Sequence, residues 1–80
     1  MFLEIITPGK KVFSGEVKLV RLPGSKGSFE ILKNHAPIIS TLNKGTIKVV
    51  LKNGTEKLFE TDGGVIENMG NKIIVLVESA

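Results

Sequence analysis

Turn-forming residues recur at short intervals along the whole chain and leave only short segments between them. Proline presets its own φ, and glycine and asparagine tolerate the positive φ that tight turns need. The turn signals lie at residues 7–9, 23–27, 33–34, 43–45, 53–54, 62–64 and 70–71. No segment between them keeps apolar residues at the i, i+3, i+4, i+7 spacing long enough to form a helix. The chain is therefore predicted to be all-β.

Several of these segments alternate apolar and polar residues with the period of a strand. Residues 46–52 put three apolar side chains on one face, namely Ile47, Val49 and Leu51. Phe29 and Ile31 share a face of another short strand in the same way. The dipeptide Asn53-Gly54 separates residues 46–52 from residues 55–60, and between two such segments it predicts a β-hairpin.

The run Ile73-Ile74-Val75-Leu76-Val77 is apolar throughout, which favours a strand covered on both faces. It is too short to span a membrane, and the acid Glu4 stands where a signal peptide would carry a basic leader. Roughly 8–10 short strands with turns this close together predict a flattened two-sheet β-sandwich or barrel. The 80 residues, which include no cysteine to form a disulfide, are expected to make a single domain over residues 1–80.

The chain offers little for catalysis or for holding a metal or a cofactor. With one histidine and no cysteine it cannot assemble a two-histidine or cysteine–histidine zinc site. A serine triad would need His35 with Asp62, the only aspartate, and no strand-turn-helix elbow is present to activate a serine. The glycines of residues 23–27 lack the spacing of a phosphate-binding loop, and no helix follows them. We expect no catalytic residue, no metal and no cofactor.

The formal charge of +3 comes from eleven basic and eight acidic residues. The lysines are dispersed along the chain, with only Lys10 and Lys11 adjacent, and Arg21 is the single arginine. Without tyrosine or tryptophan to stack on bases, this pattern favours a solvated surface over a nucleic-acid site. Two alternatives to the interpretation below are a β-sandwich adaptor of another complex and a small nucleic-acid-binding barrel, whose binding would weaken steeply with salt.

Three short motifs follow one another along the chain. They are Phe13-Ser14-Gly15, then His35-Ala36-Pro37, then Gly63-Gly64-Val65-Ile66-Glu67. In order and spacing, and over essentially the whole chain, the sequence resembles the N-terminal β-sandwich domain of the epsilon subunit of F-type ATP synthase. It departs from the pattern of many members at Glu30-Ile31 and at Lys33-Asn34, which affects local loop shape.

The resemblance implies a non-catalytic rotor subunit of the central stalk that links the gamma subunit to the c-ring and so couples ion flow to ATP synthesis. Carried over position by position, the implied c-ring-facing loop comprises Gly24, Ser25, Lys26, Gly27 and Ser28. The implied gamma-facing residues are His35, Ser40 and Asp62. Such a subunit would lie at the cytoplasmic face of the bacterial inner membrane, peripheral and attached only through the complex. The coupling ion could be proton or sodium.

Most members of this family continue into a pair of C-terminal helices that inhibit ATP hydrolysis, and some build an ATP site there. This sequence stops at Glu78-Ser79-Ala80, where those helices would begin. The resemblance therefore implies a short form with no C-terminal helices, no autoinhibition through them and no ATP binding. A naturally short subunit and a trimmed chain both fit this expectation.

Overall fold

The computed structural model describes residues 1–80 and contains eight strands and no helix. The strands are β1 (Phe2–Thr7), β2 (Lys10–Leu22), β3 (Phe29–Leu32), β4 (Ile38–Leu42), β5 (Gly45–Leu51), β6 (Glu56–Thr61), β7 (Gly64–Met69) and β8 (Lys72–Val77). The all-β prediction is confirmed, and seven of the strands have the short length expected. The exception is β2, with 13 residues. The chain forms no helix of the length and apolar character that crossing a bilayer requires.

The long strand β2 belongs to both sheets. Its N-terminal half pairs antiparallel with β1, for example Phe13 with Ile5. Its C-terminal half pairs with β3 on one side and β5 on the other, so that Val20 lies opposite both Ile31 and Val49. The first sheet has the order β4-β7-β8-β1-β2 and the second the order β3-β2-β5-β6. The two sheets form a flattened body of 26 × 23 × 17 Å, which confirms the predicted two-sheet architecture.

The first and last strands lie side by side in the first sheet. β1 and β8 pair in parallel, with Leu3 opposite Ile73 and Ile5 opposite Val75, and all four side chains are completely buried. This is the one parallel pair in an otherwise antiparallel fold. The pairing joins the two ends of the chain through core residues, so both must be in place before the core is complete.

The β5–β6 hairpin lies where Asn53 and Gly54 predicted it. Leu51 N donates to Thr55 O at 2.8 Å, and Gly54 N donates to Leu51 O at 2.9 Å. The Asn53 side-chain oxygen accepts a hydrogen bond from Thr55 N at 2.9 Å. These bonds enclose a three-residue loop, so Lys52 lies in the turn and not in the strand where the alternation placed it.

One hydrophobic core of 13 buried residues fills the space between the sheets. The alternation correctly assigned Ile31, Ile47 and Val49 to it, while Phe29 and Leu51 pack against its edge. Because strand side chains alternate between faces, inward residues within a strand are typically two apart, as Ile73, Val75 and Val77 are on β8.

The prediction that residues 73–77 are covered on both faces is wrong for this chain. Ile73, Val75 and Val77 point into the core, whereas Leu76 on the other face is 49% exposed. Ile74 on that outer face is half-buried. The outer face of β8 belongs to a sheet with no second layer on that side, so an apolar sequence meets solvent there.

Strands β6 and β7 are joined at residues 62–63, within the turn signal of residues 62–64, and backbone approaches backbone closely there. A Cβ on Gly64 would lie 2.1 Å from Leu76 O on the neighbouring strand. Gly63 has a φ of 116°, which L side chains rarely adopt. Any larger residue at Gly64 would force β7 and β8 apart.

The two faces of β8 predict opposite responses to truncation. Val75→Ala should lower the free energy of unfolding by about 2 kcal/mol, because it leaves a cavity in the core. In a domain of this size that corresponds to a fall in melting temperature of about 10 °C. Leu76→Ala, on the exposed face, should change stability by less than about 0.5 kcal/mol. Thermal and urea unfolding of both variants would check this, and equal losses would contradict the assignment of faces.

Candidate functional site

An apolar patch covers part of the outer face of the first sheet. Its members come from three neighbouring strands: Ile39 on β4, Val65 on β7, and Ile74 and Leu76 on β8. Val65 lies directly opposite Leu76, while Ile39 and Ile74 flank Glu67 between them. The exposed fractions are 71% for Ile39, 41% for Val65 and 49% for Leu76. The four side chains border a groove of about 210 Å³.

The position of this apolar patch follows from strand alternation. Ile66 and Val75 point inward and are fully buried, so their neighbours Val65 and Leu76 must point outward. Soluble monomers seldom expose contiguous apolar surface of this kind, and where they do it commonly marks a site of protein contact. The apolar patch is therefore the strongest candidate docking surface of the chain.

Three charged residues, one each on β1, β2 and β8, lie beside the apolar patch. Glu4 lies opposite Ile74 across the β1–β8 pair, and its side chain is 13% exposed. Lys11 Nζ is 2.7 Å from Glu4 Oε2, and Lys72 Nζ is 3.7 Å from Glu4 Oε1. The hydrogen bond from Lys11, aided by the charges of both lysines, lowers the pKa of Glu4 below its ordinary value. The carboxylate therefore stays ionised and keeps both lysines beside the patch.

The 24–28 loop, predicted to face the c-ring, is hydrogen-bonded to the edge strand β4. Ser25 N donates to Thr41 O at 3.1 Å, and the hydroxyls of these two residues lie 2.7 Å apart. Within the loop, a Cβ on Gly24 would lie 2.6 Å from Gly27 O, so the tight turn requires glycine at this position. Lys26 is exposed at the loop tip. The loop thus presents a positive charge on a well-supported backbone.

Ser40, predicted to face gamma, lies on β4 beside the 24–28 loop. It pairs with the buried Ile66 across β4–β7, so its half-buried side chain is on the inner side of the edge strand. Ile39, its neighbour in sequence, points outward into the patch. Ser40 and the 24–28 loop line one groove of about 550 Å³. The structure thus brings together residues that the sequence assigned to two different partners.

His35 lies in the turn that precedes β4. Its Nδ1 donates to Ala36 O at 2.7 Å, and Asn68 Nδ2 donates to the same oxygen at 3.4 Å. Asn68 is 2% exposed, and sequence reasoning missed it. The alternation along β7 was the available signal, because it places Asn68 on the same inward face as Ile66, two residues earlier. Because both residues bond to Ala36 O, Asn68 holds the His35 turn against β7.

Asp62 lies at the opposite end of the β4–β7 pair from His35. It is exposed, and it accepts a hydrogen bond from Ser79 Oγ at 2.9 Å. The β4–β7 pairing runs antiparallel from Ile38 opposite Asn68 to Leu42 opposite Gly64, which separates the two ends by the length of the strand. His35 and Asp62 therefore flank the β4 side of the sheet without contacting each other.

The whole chain, residues 1–80, matches the family described as the β-sandwich domain of the ATP synthase delta/epsilon chain. Among curated proteins it is 45% identical over 76 residues to the ATP synthase epsilon chain of Chlorobium limicola, covering 95% of this chain and 86% of that one. It is 41% identical over 81 residues to the ATP synthase epsilon chain of Campylobacter hominis, where it covers 62% of the relative. These relatives thus extend beyond the matched region to different degrees.

Solved structures share the fold at low sequence identity. One chain in the Euglena gracilis mitochondrial ATP synthase (OSCP/F1/c-ring) superposes with a TM-score of 0.90 at 16% identity, covering 96% of this chain and 49% of that one. A chain in the Tetrahymena thermophila mitochondrial ATP synthase (central stalk/c-ring) superposes with a TM-score of 0.79 at 19% identity, covering 96% and 62%. At these identities the likeness establishes the fold.

The ion pairs of Glu4 predict a pH-dependent stability. Because folding lowers the pKa of Glu4, its ionised form stabilises the fold above the unfolded-state pKa, and this contribution disappears as pH falls through the folded-state pKa. Glu4→Gln should therefore lower the melting temperature at neutral pH, and the difference from the unaltered chain should vanish in acid. Glu56→Gln removes a more exposed 3.6 Å pair with Lys48 and serves as the control, with little effect expected. A difference for Glu4→Gln that grows in acid would contradict this interpretation.

Proposed function

The chain belongs to the ATP synthase delta/epsilon β-sandwich family, and we propose that it serves as a non-catalytic central-stalk subunit of F-type ATP synthase. In this role it links the gamma subunit to the c-ring of the rotor and so couples ion flow, of protons or of sodium, to ATP synthesis. The curated relatives are ATP synthase epsilon chains, and the matching solved structures are of assemblies that include a c-ring. The observation that carries the proposal is the apolar patch, because a linker needs a surface that its partner covers.

A binding role suits the way in which the polar residues are used. The one histidine, His35, is engaged through Nδ1 with the backbone of its own turn. Asp62 is bonded to Ser79 at the other end of β4–β7, so these two groups support loops and are not poised for proton transfer. We therefore assign residues 1–80 as a single β-sandwich domain, built on one core, that contributes surfaces and no chemistry.

We assign the gamma-facing surface to the β4 side of the first sheet. The apolar patch lies there, and His35 and Asp62 flank it at the two ends of the β4–β7 pair. Burial of aliphatic side chains supplies affinity, while polar residues at the rim set the register between the partners. A domain with so small a core also gains stability when a partner covers exposed aliphatic surface.

We assign the c-ring-facing surface to the 24–28 loop. Its backbone is fastened to β4, and Lys26 stands at its exposed tip. A polar loop with one charge suits a wet contact in which electrostatics fix orientation. Ser40, which lines the groove between this loop and β4, would lie where the gamma and c-ring surfaces meet. We propose that in the bacterial cell the chain lies at the cytoplasmic face of the inner membrane, held there only through the complex.

The gamma assignment predicts that a charge in the apolar patch abolishes docking. Leu76→Asp should weaken binding to purified gamma at least about tenfold, because the carboxylate would lose its hydration in the interface. Leu58→Asp is a matched control, since Leu58 is 65% exposed on β6 in the second sheet and should leave binding unchanged. Both variants should keep the circular dichroism spectrum of the unaltered chain. Equal binding by Leu76→Asp and the unaltered chain would contradict the assignment.

The c-ring assignment predicts a separate defect for the loop tip. Lys26→Glu should impair assembly onto reconstituted membrane sector while leaving gamma binding intact, and its stability should change by less than about 0.5 kcal/mol. Lys57→Glu makes the same change of charge on β6 and should affect neither partner. The measurement pairs a gamma pull-down with membrane reconstitution for each variant. If Lys26→Glu abolished gamma binding and spared the ring, the two surfaces would be assigned the wrong way round.

A further inference from the structure

We propose that a lysine-rimmed cleft at the far end of β3 binds an acidic peptide segment of a partner protein. This basic cleft has a volume of about 370 Å³. It lies near residues 17–18 of β2, where the pairing of β2 passes from β1 to β5. It is lined by Met1, Val17, Lys18, Leu32, Lys33 and Lys52. None of these residues belongs to the apolar patch or to the 24–28 loop.

Three different elements bring the lysines to this cleft. Lys18 lies at the irregularity in β2 where its pairing with β5 shifts register. Lys33 directly follows β3, and Lys52 directly follows β5. Since β3 and β5 flank β2 on its two sides, the ends of these strands converge around Lys18.

The positive charge in the cleft is only partly compensated. Glu16 is the acid that contacts it, and Glu16 Oε1 already lies 3.6 Å from Lys52 Nζ and 3.4 Å from the Met1 nitrogen. Neither Lys18 nor Lys33 forms a salt bridge within the chain. Lys18 and Lys33 line one cleft without an acidic partner, so a bound anionic group would meet positive charge that the chain does not already neutralise.

The floor of the cleft is apolar. Val17 is buried at 1% exposure, Met1 is half-buried, and Leu32 is 51% exposed at the rim. An ion such as phosphate would satisfy the amines and leave the accessible apolar surface of the cleft, that of Met1 and Leu32, in water. A peptide that carries an apolar side chain between carboxylates would contact both, which is why the proposal names an acidic segment.

The position of the cleft favours a protein over a membrane. Lys26 lies in the loop before β3 and Lys33 lies after it, and the four residues of β3 span about 13 Å at about 3.3 Å per residue. If the 24–28 loop faces the ring, the cleft faces away from the bilayer. This choice of partner class rests on the proposed function, whereas the charge and the apolar floor do not.

The test uses the full chain and a defined probe. A fluorescein-labelled peptide that alternates glutamate and leucine is titrated with the chain at low salt, and anisotropy reports binding. We expect Lys18→Glu and Lys33→Glu each to weaken binding of the acidic peptide at least about tenfold. The matched glutamine–leucine peptide should bind the unaltered chain no more tightly than the acidic peptide binds those variants. Lys44→Glu, which makes the same charge change in the loop preceding β5, should bind as the unaltered chain does. Added salt should weaken binding.

The proposal would be overturned by no binding of the acidic peptide, by an equal loss in Lys44→Glu, or by displacement of the peptide by equimolar inorganic phosphate. Stronger binding to phosphatidylglycerol vesicles than to the peptide would assign the cleft to the membrane and overturn the protein partner. Leu76→Asp should retain peptide binding. A failure at the basic cleft is thus distinguishable from a failure of the gamma assignment, which is measured with gamma itself.

Discussion

The fold depends on the continuity of β2 through both sheets. A single strand of 13 residues pairs with β1 in one sheet and with β3 and β5 in the other, so the two sheets share a backbone and not only a core. The register shift between Val17 and Leu19 lies where the strand passes from one sheet to the other, and such irregularities bend and twist a strand. This strand sets the position of the core between the sheets. It also sets where the loops before and after β3 lie, because β3 pairs with it.

A core enclosed by only two sheets leaves every strand with an outer face. Exposed aliphatic side chains occur there on several strands, including Leu32 on β3 and Leu58 on β6, but those of β4, β7 and β8 lie on neighbouring strands and form one patch. The inner face of β8 is fully buried and supports the fold, whereas its outer face adds little to the stability of the free chain. The apolar residues Ile39, Val65 and Leu76 are thus better explained by a partner than by folding, which agrees with membership of a family of subunits that work inside a larger assembly.

Charge is organised around the same architecture. On the outer face of the first sheet, Glu4 holds Lys11 and Lys72 beside the apolar patch, and its lowered pKa extends the ionised arrangement to more acidic pH. Lys18, Lys33 and Lys52, from three different elements, line the cleft at the end of β3 remote from the 24–28 loop. Glu16, which pairs with Lys52, is the acid that contacts this group. The chain therefore has three chemically distinct surfaces: one apolar, one a polar loop, and one basic.

The sequence alone determined the strand content, the β5–β6 hairpin, the turn before β7 and the family, because alternation, turn residues and motif order are local properties of the chain. It could not decide whether residues 73–77 were covered once or twice, since an apolar run looks the same in both cases. Nor could it foresee the parallel pairing of β1 with β8, the position of Ser40 beside the 24–28 loop, or the convergence of dispersed lysines on one cleft. Each of these depends on which strands become neighbours, and that is fixed by long-range pairing in the tertiary structure and not by any local pattern.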